Sequence, residues 1–199
     1  MDTNDFKVKL EGKISKQMVV FDTMPSFYES NEAQYSTVSP THMITDYHVY
    51  DHSPSRSFEL SEVKLVSRNQ KEARINLQKI LTLKGWTKSY FGDISGPAGD
   101  ELKNWLGAPP EVLLFSAYSS PKHRGHFDRI PVVLGKVSVN YPNDVDYIPT
   151  ASFGDDDVLG GTPFPLLMTV SLTLMEQHSL EEISAFNLHA YRNGILPAF

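Results

Sequence analysis

Between Thr162 and Ser179 the chain reads TPFPLLMTVSLTLMEQHS. Met168, Val170, Leu172 and Leu174 alternate with Thr169, Ser171, Thr173 and Met175. Successive side chains of a strand point to opposite faces. The pattern therefore predicts a strand with one apolar face and one mildly polar, uncharged face. The apolar face belongs in a core. Burying its four side chains is worth on the order of 6–12 kcal/mol before the entropy of ordering them is subtracted. A long face of small hydroxyls has no such obvious use.

The rest of the chain supplies mostly strands. Phe6, Val8 and Leu10 alternate with charged residues, Gly12 breaks the run, and Ile14–Phe21 resumes it. Met24–Pro40 has no clear period and is rich in Ser, Glu and Asn, so it is read as a long surface excursion. Ile44–Tyr50 and Phe58–Val66 read as strands joined by the turn-rich DHSPSR. Ser67-Arg68-Asn69-Gln70 fits a capping box with Ser67 as N-cap. Ala73, Leu77, Ile80 and Leu81 then follow at helical spacing, and Gly85 can close the helix.

The segment from Gly85 to Pro110 carries both tryptophans among glycines and prolines, with a short helix expected from Asp100 to Gly107. Val112–Ser119 and Ile130–Tyr141 read as strands, and residues 142–161 as a loop containing the acidic run GDDD. A second capping box, Ser179 to Glu182, predicts a C-terminal helix to about Arg192. Strands do not alternate with helices. The predicted fold class is mainly β (α+β), antiparallel, with one prominent helix mid-chain and one at the end. All 199 residues are read as a single domain, with excursions at 24–40 and 85–110.

Chemistry is hard to find in this chain. It has no cysteine, which excludes disulfides, thiolate metal sites and cysteine nucleophiles. A net charge of -6 argues against clamping nucleic acid through its phosphates. No apolar run reaches membrane-spanning length, and the N-terminal residues show no secretion signal. His48 and His52 bracket Asp51, but on a strand such residues sit about 13 Å apart. Surface histidines beside a turn are expected there. His123, His126 and Asp128 share a loop with Lys122, Arg124 and Arg129, whose charge opposes a cation, so a basic contact loop is expected. Asp155-Asp156-Asp157 lacks the alternating ligands of a calcium loop and is read as solvated. No nucleophile elbow, phosphate loop or zinc-protease motif occurs. No catalytic, metal or cofactor residue is assigned, and the chain is read as a non-enzyme.

The aromatics Trp86, Tyr90, Phe91 and Trp105 fall in or beside Gly-rich loops. Either they fold back and seal the core, or they dock into a neighbouring subunit.

A resemblance then bears on function. The run from Met24 to Gly92, with its aromatic-dotted Pro25–Tyr35 segment, SPTHM, DYHVY, SRSFELSEVKLVSR and GWTKSYFG, resembles the tail tube initiators of contractile-tailed bacteriophages. These are also called baseplate tail-tube junction proteins and belong to the tail-tube-like family. RIPVVLGKVSVNYPNDVDYIPT followed by TPFPLLMTVSLTLMEQHS is similar to that family's closing strand pair. The resemblance implies an antiparallel β-sandwich or barrel with a flanking helix, assembled as a homo-hexamer. Such a ring sits on the baseplate hub, meets a second initiator ring or the tail tube protein, and templates tube polymerisation. The tape-measure protein and, in passage, DNA occupy the bore.

The resemblance also implies a virion protein, assembled in the host cytoplasm, with no membrane partner. Ser138, Asn140, Thr169, Ser171 and Thr173 would line the lumen, with Lys136 as an awkward neighbour. Trp86, Tyr90, Phe91, Trp105, Tyr28 and Tyr35 would make subunit or ring contacts. The excursion 24–40 would reach a neighbouring subunit or the next ring. The alternatives are the major tail tube protein itself, or a non-viral β-sandwich adaptor module.

Overall fold

The computed structural model describes residues 6–89, 107–119, 127–154 and 157–196. The described chain is mainly β, with antiparallel sheets and three helices. Seven strands form the main sheet: β1 (Lys9–Gly12), β2 (Met18–Val20), β3 (Ser26–Ser30), β6 (Ser57–Val66), β7 (Leu113–Ala117), β8 (Phe127–Asn140) and β11 (Leu167–Glu176). Their order across the sheet is β2-β1-β7-β8-β11-β6-β3. The long strand identified from its alternation, β11, lies between β8 and β6. Two small ribbons accompany the sheet. One pairs β4 (Gln34–Val38) with β5 (Tyr47–His52), the other β9 (Tyr147–Pro149) with β10 (Pro163–Pro165).

The topology forces curvature. β2 and β3 are consecutive in sequence yet occupy the two edges of the sheet. Residues 21–25 alone link them, and so short a link spans at most about 20 Å. Seven flat strands would hold the edges about 29 Å apart. The sheet therefore curls. Phe27 on the β3 edge packs its ring 5.0 Å from Phe127 on β8 and 6.2 Å from Phe115 on β7. Within the link, Thr23 donates a hydrogen bond to the Lys64 carbonyl of β6 at 2.8 Å. Register shifts between Val170 and Leu172, and between Thr173 and Leu174, sharpen the bend, as bulges do.

The concave side holds the core. Met168, Val170, Leu172 and Leu174 of β11 are buried there with Phe58, Leu60, Val63 and Leu65 of β6. Val132, Leu134, Leu113 and Phe115 join them.

Helix α1, Gln70–Gly85, closes over this core with Ala73, Asn76, Ile80 and Leu83 buried. Its cap differs from the expected one. Asn69 is the N-cap, accepting from the Glu72 amide at 2.9 Å, while Glu72 reaches back to the Arg68 amide at 2.8 Å. Ser67 cannot start the helix because its own amide still bonds the Leu166 carbonyl, leaving the chain extended there. Its hydroxyl instead receives Asn76 Nδ2 at 2.9 Å. Leu81 falls off the buried stripe and is exposed.

Three further expectations change. Ile14–Phe21 is a strand only over Met18–Val20, because the Glu111 carboxylate accepts from the Ile14 and Ser15 amides at 2.6 and 2.7 Å and holds a turn. The 24–40 excursion lies on the surface from Tyr28 onward, as expected, but is built of strands, β3 and β4, and not of an aperiodic loop. The C-terminal helix is two pieces of five residues, α2 (Leu180–Ser184) and α3 (Leu188–Arg192). Asn187 interrupts it by capping a fresh start, accepting from the His189 and Ala190 amides. The helix expected over Asp100–Gly107 lies outside the described residues but for Gly107.

Candidate functional site

The convex face of the sheet gathers the hydroxyl row into a patch. Thr169 stands opposite Asn140, Ser171 opposite Ser138, and Thr173 opposite Lys136. On the other flank Thr169 faces Lys64 and Thr173 faces Glu59. Glu59 in turn faces Tyr28 on β3. Opposed residues of an antiparallel pair share a face. All five residues proposed for the lumen are thus brought together, on the side away from Val170 and Leu172, which are buried. The register also puts Lys136 there, and adds Lys64 and Glu59, which the strand pattern alone did not assign. Tyr28 shares this face as well.

A second surface is the β4–β5 hairpin with its flanks. Every residue from Tyr28 to Ser53 is exposed. Tyr35 and Tyr50 stack edge to face across it at 5.8 Å. Ser36 donates to Asp51 at 2.5 Å, and Thr37 meets His48 Nδ1 at 3.3 Å. Val38, Met43, Ile44, Tyr47 and Val49 are exposed too. An isolated two-stranded hairpin is marginal in water, and this one leaves apolar side chains exposed along both strands and the turn.

The arm is rooted in a buried ion cluster. Arg56, only 2% exposed, donates through Nε and Nη2 to the two oxygens of Glu176, both at 3.0 Å. Its Nη1 reaches Glu29 at 2.8 Å. Burial opposes the Arg56 charge, but the bonds to Glu176 and Glu29 outweigh it and raise its pKa. His178 Nε2 lies 3.0 Å from Glu176. Arg56 and Glu29 close the arm's two ends, while Glu176 and His178 begin the C-terminal tail. Sequence reasoning missed this cluster, since nothing in SPSRSFE marks its arginine as buried.

The remaining candidates divide. Trp86 is buried in the core behind α1 and is unavailable to a neighbour, because it ends the same stripe that packs Ala73 and Ile80. Tyr90, Phe91 and Trp105 lie outside the described residues, as do His123 and His126. Asp155 and Asp156 lie outside them too, but Asp157 corrects the expectation of a solvated acidic run. It accepts from the Phe153 and Leu159 amides and pairs with Arg74 at 2.8 Å. The Phe153 amide above all holds its carboxyl below the usual range. His48 and His52 lie on β5, and among the described residues no three acidic or histidine side chains gather to hold a metal ion.

No family model matches the chain, and a search of curated proteins finds no match. No helix among the described residues is long and apolar enough to cross a membrane.

Proposed function

We propose that the chain is a structural protein of a contractile phage baseplate, forming a hexameric ring that links the hub to the tail tube and templates tube polymerisation. The observation that carries this reading is the convex sheet face. Hydroxyl and amide side chains spread over β8 and β11, away from a well-packed core, with exposed Lys136 and Lys64 offset by exposed Glu59 and Glu62. In a ring this face lines a hydrated bore. A basic lining would bind phosphates and stall DNA, whereas a near-neutral one lets a polyanion pass. The free sides of edge strands β2 and β3 suit pairing between copies, which removes the liability of open edges.

The test is Thr169→Lys with Ser171→Lys. Neither position supports the core, so the melting temperature should stay within a few degrees and virions should assemble. DNA delivery, measured as infectivity per particle, should fall. Normal infectivity, or wild-type protein that stays monomeric by mass photometry even with baseplate partners, overturns the reading.

A further inference from the structure

Between the root of the arm and the C-terminal tail lies a cavity of about 580 Å³. Its floor is polar, with Arg56, Glu176 and His178 already engaged with one another. Its wall is apolar, built from Ile183, Phe186, Leu188 and Tyr191 of the tail. Ile183, Phe186 and Leu188 are exposed. Helices of five residues are not stable in water by propensity, so α2 and α3 need cover on that wall. At the far end of the arm, Met43 and Ile44 sit on the tip between β4 and β5, and Ile44 is fully exposed.

We propose that the tip of one copy's arm, led by Ile44 and Met43, seats in the tail cavity of the next copy. This rests on the ring reading and assigns its receptor surface. Reach agrees with it. β4, Gln34–Val38, spans about 17 Å, and the turn beyond it carries Met43 and Ile44 farther from the root. Touching neighbours meet at their surfaces, so an arm that projects this far crosses the contact into the next body. The arm cannot fill its own cavity, because Asn31 and Tyr50 at its root line that cavity and the paired strands hold the tip away.

Area agrees too. On the outer half of the arm Tyr47 stays more than half exposed, while Tyr50 lines the receiving cavity at the root and Tyr35 stacks on it. At 150–250 Å² per fully buried aromatic, Tyr47 offers about 100 Å². The aliphatic side chains of the arm bring the total towards the roughly 800 Å² per partner of a stable interface. Each copy carries one tip and one cavity, and a head-to-tail contact of that kind closes into a ring where its rotation divides a full turn.

The cysteine-free chain allows a clean test. Ile44→Cys protein is mixed with Leu188→Cys protein under mild oxidation, with Ile75→Cys on α1 as the off-site control. A disulfide-linked dimer from the first pair, absent with Ile75→Cys, supports the proposal. The doubly substituted Ile44→Cys/Leu188→Cys chain should then give a covalent ladder ending at the ring. Ile44→Asp, at a side chain that touches nothing, should keep its fold and raise the concentration for half-assembly at least tenfold. Rings that form without the Ile44–Leu188 link, equal linking to Ile75→Cys, or unchanged assembly of Ile44→Asp overturn this docking alone. Wild-type protein that forms no ring at any concentration overturns the ring reading and this inference together.

Discussion

Neighbouring residues on β11 carry opposite obligations. Leu172 is buried among β6 and β8 side chains, while Ser171, one step along, is exposed opposite Ser138. Leu172→Ala should cost about 2–5 kcal/mol, through lost transfer energy and the cavity left behind. Ser171→Ala should stay within about 0.5 kcal/mol. Urea melts of the two variants check the assignment of faces; equal effects would contradict it. Arg56 is a different case, since its value lies in partners already desolvated. Arg56→Ala leaves Glu176 buried without its guanidinium, for which about 3–5 kcal/mol is expected. Replacing Arg56 and Glu176 together by methionine should recover much of that loss in the same melts.

Helix ends and turns are held by short-range acceptors, and these set the response to acid. Ser179 caps α2 by accepting from the Glu182 amide at 3.3 Å, and Glu182 returns the bond to the Ser179 amide at 2.8 Å. That amide chiefly, against a smaller cost of burial, holds the Glu182 carboxyl below its usual range. Asp157 is lowered in the same way by the Phe153 amide. A carboxyl lowered in the folded state stabilises above the ordinary carboxylate range and stops doing so as pH falls through its lowered value. Amide hydrogen exchange should therefore show α2 and the 157–160 turn opening before the sheet as pH drops below 4. Glu182→Gln should remove the α2 part of that dependence. An α2 that resists acid as well as β11 does would refute this.

Viewed whole, the molecule divides into a curled sheet sealed by α1, and an arm and tail that it does not cover. Opening free energies follow burial, so residues 31–53 should open far more readily than the sheet. Limited proteolysis of dilute protein should cut first within that span, and assembly should protect it by an order of magnitude or more. Equal cleavage in both states would mean that the arm stays outside every interface.

Much of this architecture was legible in the residues themselves. Strict alternation in Met168–Met175 determined a strand and its two faces, because side-chain direction in a strand is a matter of local geometry. Helical spacing determined α1 for the same reason, and so did the Ser179 cap. Other features depend on what lies far away in the chain. Ser67 lost its capping role to a hydrogen bond with Leu166, and Trp86 went to the core because α1 turned it inward. Arg56 is an ordinary arginine until Glu176, 120 residues on, closes over it. Lys64 and Glu59 joined the hydroxyl patch only through the β6–β11 register, and the curl arose because β2 and β3 had to flank the same sheet. Local periodicity says which way a side chain points, but only long-range pairing decides what it meets there.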